Sequence, residues 1–191
     1  MKFTKREVRD LIISVVVLSL IFCSFDVSLF ATTLFVMFAV FISHEILGHK
    51  LVAQHFECEA EYRMWPFGLL LGLVTSFLGF VFVAPGAVYI TPNVRKNFAF
   101  QVSKLGRREF GLIAFAGPFV NVIIGTALLI VNYIHPWDMF ALAAELSFFL
   151  AIFNMIPFPP LDGEKIIRWD RRLWLVLFAS SLAGYLILIF V

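Results

Sequence analysis

The chain has 191 residues, of which 61% are hydrophobic and only 15% are charged, and its formal net charge is +2. Soluble domains carry about 25% charged residues, so this composition predicts an integral membrane protein and offers no basic surface for nucleic acid. The two cysteines are too few for a disulfide framework.

Apolar runs separated by short polar connections predict an all-α polytopic membrane protein. The runs cover residues 11–25, 29–55, 68–90, 110–133, 139–157 and 173–191. The basic N-terminus is not followed by a signal-peptide cleavage site, so we expect the first run to remain as a membrane helix. No internal repeat or second domain is visible, and residues 1–191 are predicted to form a single domain.

Lysine and arginine residues near the ends of the runs predict the orientation, because cytoplasmic loops are enriched in them. They place the N-terminus and the loops 91–109 and 161–172 in the cytoplasm. The residues used for the first of these loops are Arg95, Lys96, Lys104, Arg107 and Arg108. All three regions share one side only if 68–90 enters and leaves the membrane on that side. We therefore predict five spanning helices and a re-entrant element, with a sixth spanning helix as the alternative.

The second run contains the sequence SHEILGHK, in which His44, Glu45 and His49 interrupt a stretch suited to lipid. Ionisable residues are costly inside a membrane and usually face a partner or a cavity. Two histidines and a carboxylate suit zinc better than other metals. The pattern therefore favours a metal site over a purely structural polar cluster.

Asp162, in the sequence FNMIPFPPLDGEK, is the best candidate for a third ligand. It follows a proline-rich break near the cytoplasmic end of an incoming helix. His44 and His49 are expected on the order of 10–15 Å below the cytoplasmic surface, at ~1.5 Å per residue. The same topology brings Asp162 to a similar depth.

Three motifs together resemble the site-2 protease family of intramembrane zinc metalloproteases. They are HEILGHKLVAQ, AGPFVN at 116–121 and NMIPFPPLDG at 154–163, and FVAPGAVYI at 82–90 resembles the family's membrane-associated β-hairpin. The resemblance covers residues 29–170. It implies a metal helix over 29–55, a re-entrant and hairpin region over 57–90, a Gly-Pro helix over 110–133, an Asn-x-x-Pro/Leu-Asp-Gly helix over 139–163 and a last helix over 173–191.

The resemblance also implies the roles of individual residues. His44, His49 and Asp162 would bind Zn²⁺ and leave one position for water, which is the catalytic zinc pattern. Glu45 would act as general base and acid. Asn154 would support the substrate strand or the oxyanion and Asn121 would bond across helices, although a purely structural role suits either asparagine equally well.

The spacing from His44 to His49 is one residue longer than the family's His-Glu-x-x-His. In a regular helix, residues i and i+5 point about 140° apart, against about 40° for i and i+4. A π-bulge near Gly48 would absorb the extra residue, and the similar motif of the soluble dipeptidyl-peptidase III enzymes binds zinc. The alternatives are a regular helix in which Glu45 and His49 face the metal with Asp162, and a cluster that holds no metal.

We therefore expect a zinc metalloendopeptidase that hydrolyses membrane-spanning substrates, with its active site on the cytoplasmic side. Substrate would add as a strand to the edge of the hairpin. One alternative is an inactive relative that binds transmembrane helices without cleaving them. Another is a small transporter or channel, which is disfavoured because few polar residues continue toward the outer face.

Overall fold

A computed structural model describes residues 2–92 and 105–190 of the chain. These residues form eight α-helices, one π-helical segment and two β-strands. The elements are α1 (Lys5–Phe22), α2 (Val27–Ile42), the π-helical segment (Ser43–Lys50), α3 (Leu51–His55), β1 (Cys58–Met64), α4 (Pro66–Phe77), β2 (Gly86–Pro92), α5 (Arg107–Ile134), α6 (Asp138–Asn154), α7 (Asp162–Trp169) and α8 (Arg171–Phe190).

Three helices in the described part of the chain are long and apolar enough to span a membrane. They are α5, α8 and the continuous helix Val27–His55, which joins α2, the π-helical segment and α3. Helix α6 has 17 residues, and α1 begins with the charged sequence KREVRD. The count of five spanning helices therefore stays a prediction. Three of the basic residues that predict the orientation lie outside the described residues, namely Arg95, Lys96 and Lys104.

The segment between the two strands leaves the sheet and returns to the same place. β1 and β2 pair antiparallel with Met64 opposite Gly86, and the Trp65 N–H donates to the Pro85 carbonyl at 2.8 Å. Between these ends α4 has 12 residues and is therefore about 18 Å long, too short to cross a bilayer. A continuous helix over 68–90 is thus wrong, because the chain turns back after α4 at Gly79, whose φ is +86°.

The helix expected over 139–163 is in fact two helices. α6 ends at Asn154 and α7 begins at Asp162. Prolines 157, 159 and 160 lie between them, and proline lacks the N–H that a continuing helix requires. Asn154 and Asp162 therefore lie on either side of the same break between α6 and α7.

Helix α1 closes the outer edge of β1. The Glu7 carboxylate accepts from the Tyr62 N–H at 3.1 Å, and the Asp10 carboxylate accepts from the Met64 N–H at 3.3 Å. Glu7 also accepts from the Lys50 ammonium at 2.6 Å, and both side chains are fully buried. Because Lys50 belongs to the π-helical segment, this ion pair links α1 to the continuous helix Val27–His55.

Candidate metal centre

The π-helical segment brings the two histidines of the motif to one side of the helix. A π-turn holds one residue more than an α-turn, so it accommodates the i to i+5 spacing. The Nε2 atoms of His44 and His49 lie 3.1 Å apart, and both rings are buried. The structure therefore has the π-bulge predicted from the spacing, and the regular helix is wrong.

Two glycines let α5 approach the π-helical segment closely. A Cβ on Gly48 would lie 2.6 Å from the Gly117 Cα, which is closer than real side-chain contacts. A Cβ on Gly117 would overlap His49 Nε2 and lie 2.8 Å from His44 Nε2. The backbone of α5 therefore forms one wall of the space between the histidines.

Asp162 completes a group of three potential metal ligands. Its Oδ2 lies 3.1 Å from His49 Nε2 and 3.8 Å from His44 Nε2. Ligand atoms about 2.1 Å from a tetrahedral zinc are about 3.4 Å from one another, so the separations in this group fit zinc. All three residues are buried, and they form the metal-binding group found among the described residues.

The other ring nitrogen of each histidine has a neighbour on α5. His49 Nδ1 lies 2.8 Å from the carbonyl oxygen of Ile113, which only accepts, so Nδ1 carries the proton and Nε2 is free for a metal. His44 Nδ1 lies 3.0 Å from the side-chain amide of Asn121. With its amide oxygen toward His44, Asn121 would accept from Nδ1 and select the same tautomer. That oxygen has no other hydrogen-bond partner among the described residues.

A cavity of about 190 Å³ opens beside the ligand group. It is lined by His49 and Asp162, by Glu45 and Asn154, and by residues 86–90 of β2. Glu45 is 5% exposed, and its Oε2 has no hydrogen-bond partner in the described part of the chain. Asn154 lines the cavity, whereas Asn121 lies behind His44. The position of Asn121 therefore favours orienting a ligand over contacting substrate.

Lys165 also lines the cavity. In the sequence, its positive charge indicates only that the loop 161–172 is cytoplasmic. Its ammonium donates to Asp162 Oδ1 at 3.1 Å. Burial alone would lower the pKa of Lys165, but the Asp162 carboxylate outweighs it and raises the pKa above its ordinary value. The spacing of three residues from Asp162 on a helix was the available signal, because such side chains lie on one face.

Comparison with known proteins identifies the family. The chain is 34% identical over 194 residues to "Putative zinc metalloprotease MJ0611" of Methanocaldococcus jannaschii, and the match covers 97% of this chain and 95% of that protein. The chain belongs to this zinc metalloprotease family. Family membership and the group formed by His44, His49 and Asp162 support Zn²⁺ as the cofactor and a peptide bond as the target of hydrolysis.

Two further metalloproteases match. "Putative zinc metalloprotease YwhC" of Bacillus subtilis is 27% identical over 207 residues, covering 87% of this chain and 88% of that protein. "Zinc metalloprotease MJ0392" of M. jannaschii is 29% identical over 146 residues, covering 74% of this chain but only 35% of that longer protein. No family model and no solved structure matches the metalloprotease described here.

Proposed function

We propose that this metalloprotease is an intramembrane endopeptidase of the site-2 protease family, which hydrolyses peptide bonds of membrane-spanning proteins. The main support for this proposal is that two of the three potential zinc ligands, His44 and His49, lie inside the apolar helix Val27–His55. At ~1.5 Å per residue, His44 is about 17 Å and His49 about 9 Å from the His55 end. A metal held there is below the membrane surface if this helix crosses the bilayer.

Glu45 is the residue best placed to move the proton during hydrolysis. When bound, zinc acidifies a water molecule and polarises the scissile carbonyl. Two carboxylates line the cavity in the described part of the chain, and one of them, Asp162, is a metal ligand. Glu45 therefore takes the proton from the attacking water and gives it to the leaving amine. Its Oε2, which has no hydrogen-bond partner among the described residues, is available for this transfer.

The edge of β2 that faces away from β1 has no partner strand among residues 2–92 and 105–190. This free edge supports recognition of substrate as an added strand. In an antiparallel pair, the backbone N–H and C=O groups of successive residues point alternately toward the partner strand and away from it. Tyr62 and Met64 direct their N–H groups to carboxylates of α1, so they face away from β2. Their partners Val88 and Gly86 likewise face away from β1, and Ile90 follows by alternation. Their backbone groups lie on the strand that borders the cavity.

The other edge of the sheet is closed to substrate. Glu7 and Asp10 accept from two of the outward-facing N–H groups of β1, those of Tyr62 and Met64, and α1 packs over that part of the edge. An extended peptide therefore pairs with β2, next to Glu45 and Asp162. This arrangement presents backbone carbonyls, rather than particular side chains, to the metal, which suits a protease that acts on unwound helices.

The proposal includes a multi-pass position in the lipid bilayer, with the N-terminus and the cavity facing the cytoplasm. The distribution of lysine and arginine along the sequence supports this orientation. Unwound segments of membrane proteins are the proposed substrates, and nucleic acid has no part in the mechanism.

Reconstituted enzyme tests the proposal. Wild-type protein and Glu45→Gln are placed in proteoliposomes with a pool of single-spanning reporters that carry glycine or proline at varied depths. We expect the wild type to cut reporters within their membrane segments. Glu45→Gln should keep its zinc and lose activity by about 10²- to 10⁴-fold. A zinc-loaded wild type that cuts none of the reporters, or a variant as active as the wild type, would contradict the proposal.

A further inference from the structure

The two carboxylate oxygens of Asp162 have different neighbours. Oδ2 faces the histidine Nε2 atoms, at 3.1 Å from His49 and 3.8 Å from His44. Oδ1 accepts from the Lys165 ammonium at 3.1 Å. We propose that Lys165 is a positioning residue that restricts Asp162 to binding the metal through one oxygen, and so keeps the fourth coordination position open toward Glu45.

An open position is needed because the carboxylate has two donor atoms. Catalytic zinc has three protein ligands and leaves a position for water, whereas structural zinc has four. If Asp162 turned so that both oxygens reached the metal, Oδ1 would take the place of the water. The hydrogen bond from Lys165 opposes this turn because it fixes the oxygen that is not a ligand. Outer partners of this kind orient metal ligands and tune the metal.

The contact between Lys165 and Asp162 differs from an ordinary ion pair on a helix surface. Asp162 is 8% exposed, and Lys165 borders the cavity that contains Glu45. The surface pair of α7 is a different one, since Arg168 pairs with Glu164 and its side chain is 72% exposed. The Lys165 side chain is 38% exposed. Arg168 is thus a control cation on the same helix, with Glu164 as its ion-pair partner.

Cobalt substitution tests this role without requiring a substrate. Zinc in detergent-purified protein is replaced by Co²⁺, whose visible absorption weakens when its coordination number rises from four to five. We expect the wild type and Lys165→Arg to show strong four-coordinate bands and Lys165→Met to show weaker five-coordinate bands. Zinc affinity of Lys165→Met, from competition with a chelator, should differ from that of the wild type by about 10- to 100-fold, because the partners of a metal ligand tune its affinity. Arg168→Met should match the wild type in both measurements.

The inference rests on the zinc site of the proposed function, and the experiment separates the two. A wild type that binds no cobalt would refute the site itself. A Lys165→Met protein with the spectrum and zinc affinity of the wild type would refute only the positioning role. If Lys165→Met does not fold, Lys165→Leu likewise removes the donor to Asp162 Oδ1, and a spectrum of Lys165→Leu identical to that of the wild type would also overturn the inference.

Discussion

Replacing Gly117 by alanine should weaken zinc binding without unfolding the protein. The added methyl group would overlap His49 Nε2 and lie 2.8 Å from His44 Nε2, whereas ordinary van der Waals contacts are 3.4–4 Å. The His49 ring would have to retreat by roughly 1 Å, several times the ~0.2 Å tolerance of metal–ligand distances. Overpacking of this kind costs about 1–3 kcal/mol, which corresponds to roughly 5- to 150-fold weaker zinc binding.

The assay is a competition titration against a chromophoric chelator in detergent, with circular dichroism as a check of folding. Gly125→Ala is the matched control, because Gly125 also lies on α5 and a Cβ there would be 3.0 Å from the Phe148 ring, away from the metal ligands. We expect Gly125→Ala to keep wild-type zinc affinity. If Gly117→Ala also binds zinc as tightly as the wild type, the reasoning about the ligand positions is refuted.

Three further predictions concern stability and substrate. Lys50→Met should lower the free energy of unfolding by about 3–5 kcal/mol, because it leaves the buried Glu7 carboxylate without its cation. The double variant Lys50→Met/Glu7→Gln should recover part of this loss. Equal stability of the single and the double variant would contradict this prediction. Val88→Pro removes an N–H from the free edge of β2, so reporter cleavage should fall about tenfold while zinc is retained, and unchanged cleavage would exclude strand addition there. Removing zinc with a chelator should lower the melting temperature, since free zinc at 100 times its Kd adds about 2.7 kcal/mol; a melting temperature that does not depend on zinc would argue against a site formed by the folded chain.

Much of the metal site could be predicted because its ligands belong to short sequence motifs. The i to i+5 spacing of His44 and His49 required a bulge if both were to bind one metal, and the π-helical segment provides it. The positions of the basic loops predicted that 68–90 enters and leaves on one side, and the structure turns back within that segment. The proline-rich stretch predicted a break in the helix before Asp162, and in the structure this break begins directly after Asn154.

Contacts between distant parts of the sequence could not be predicted in this way. Glu7 lies 43 residues from Lys50 and 55 from Tyr62, and no periodic pattern relates them. The charged start of α1 indicated only orientation, yet it closes one edge of the sheet. Lys165 likewise indicated only the orientation of its loop, because its contact with Asp162 gains a chemical meaning only when the positions of the two histidines are known.

Zinc content per chain, measured on detergent-purified wild type beside His44→Ala, tests the central claim most directly. The account predicts about one zinc per wild-type chain and loss of that zinc in His44→Ala, because removing one of three protein ligands leaves too few to hold the metal. Wild-type protein without zinc, or His44→Ala with as much zinc as the wild type, would contradict the site built by the π-helical segment and Asp162.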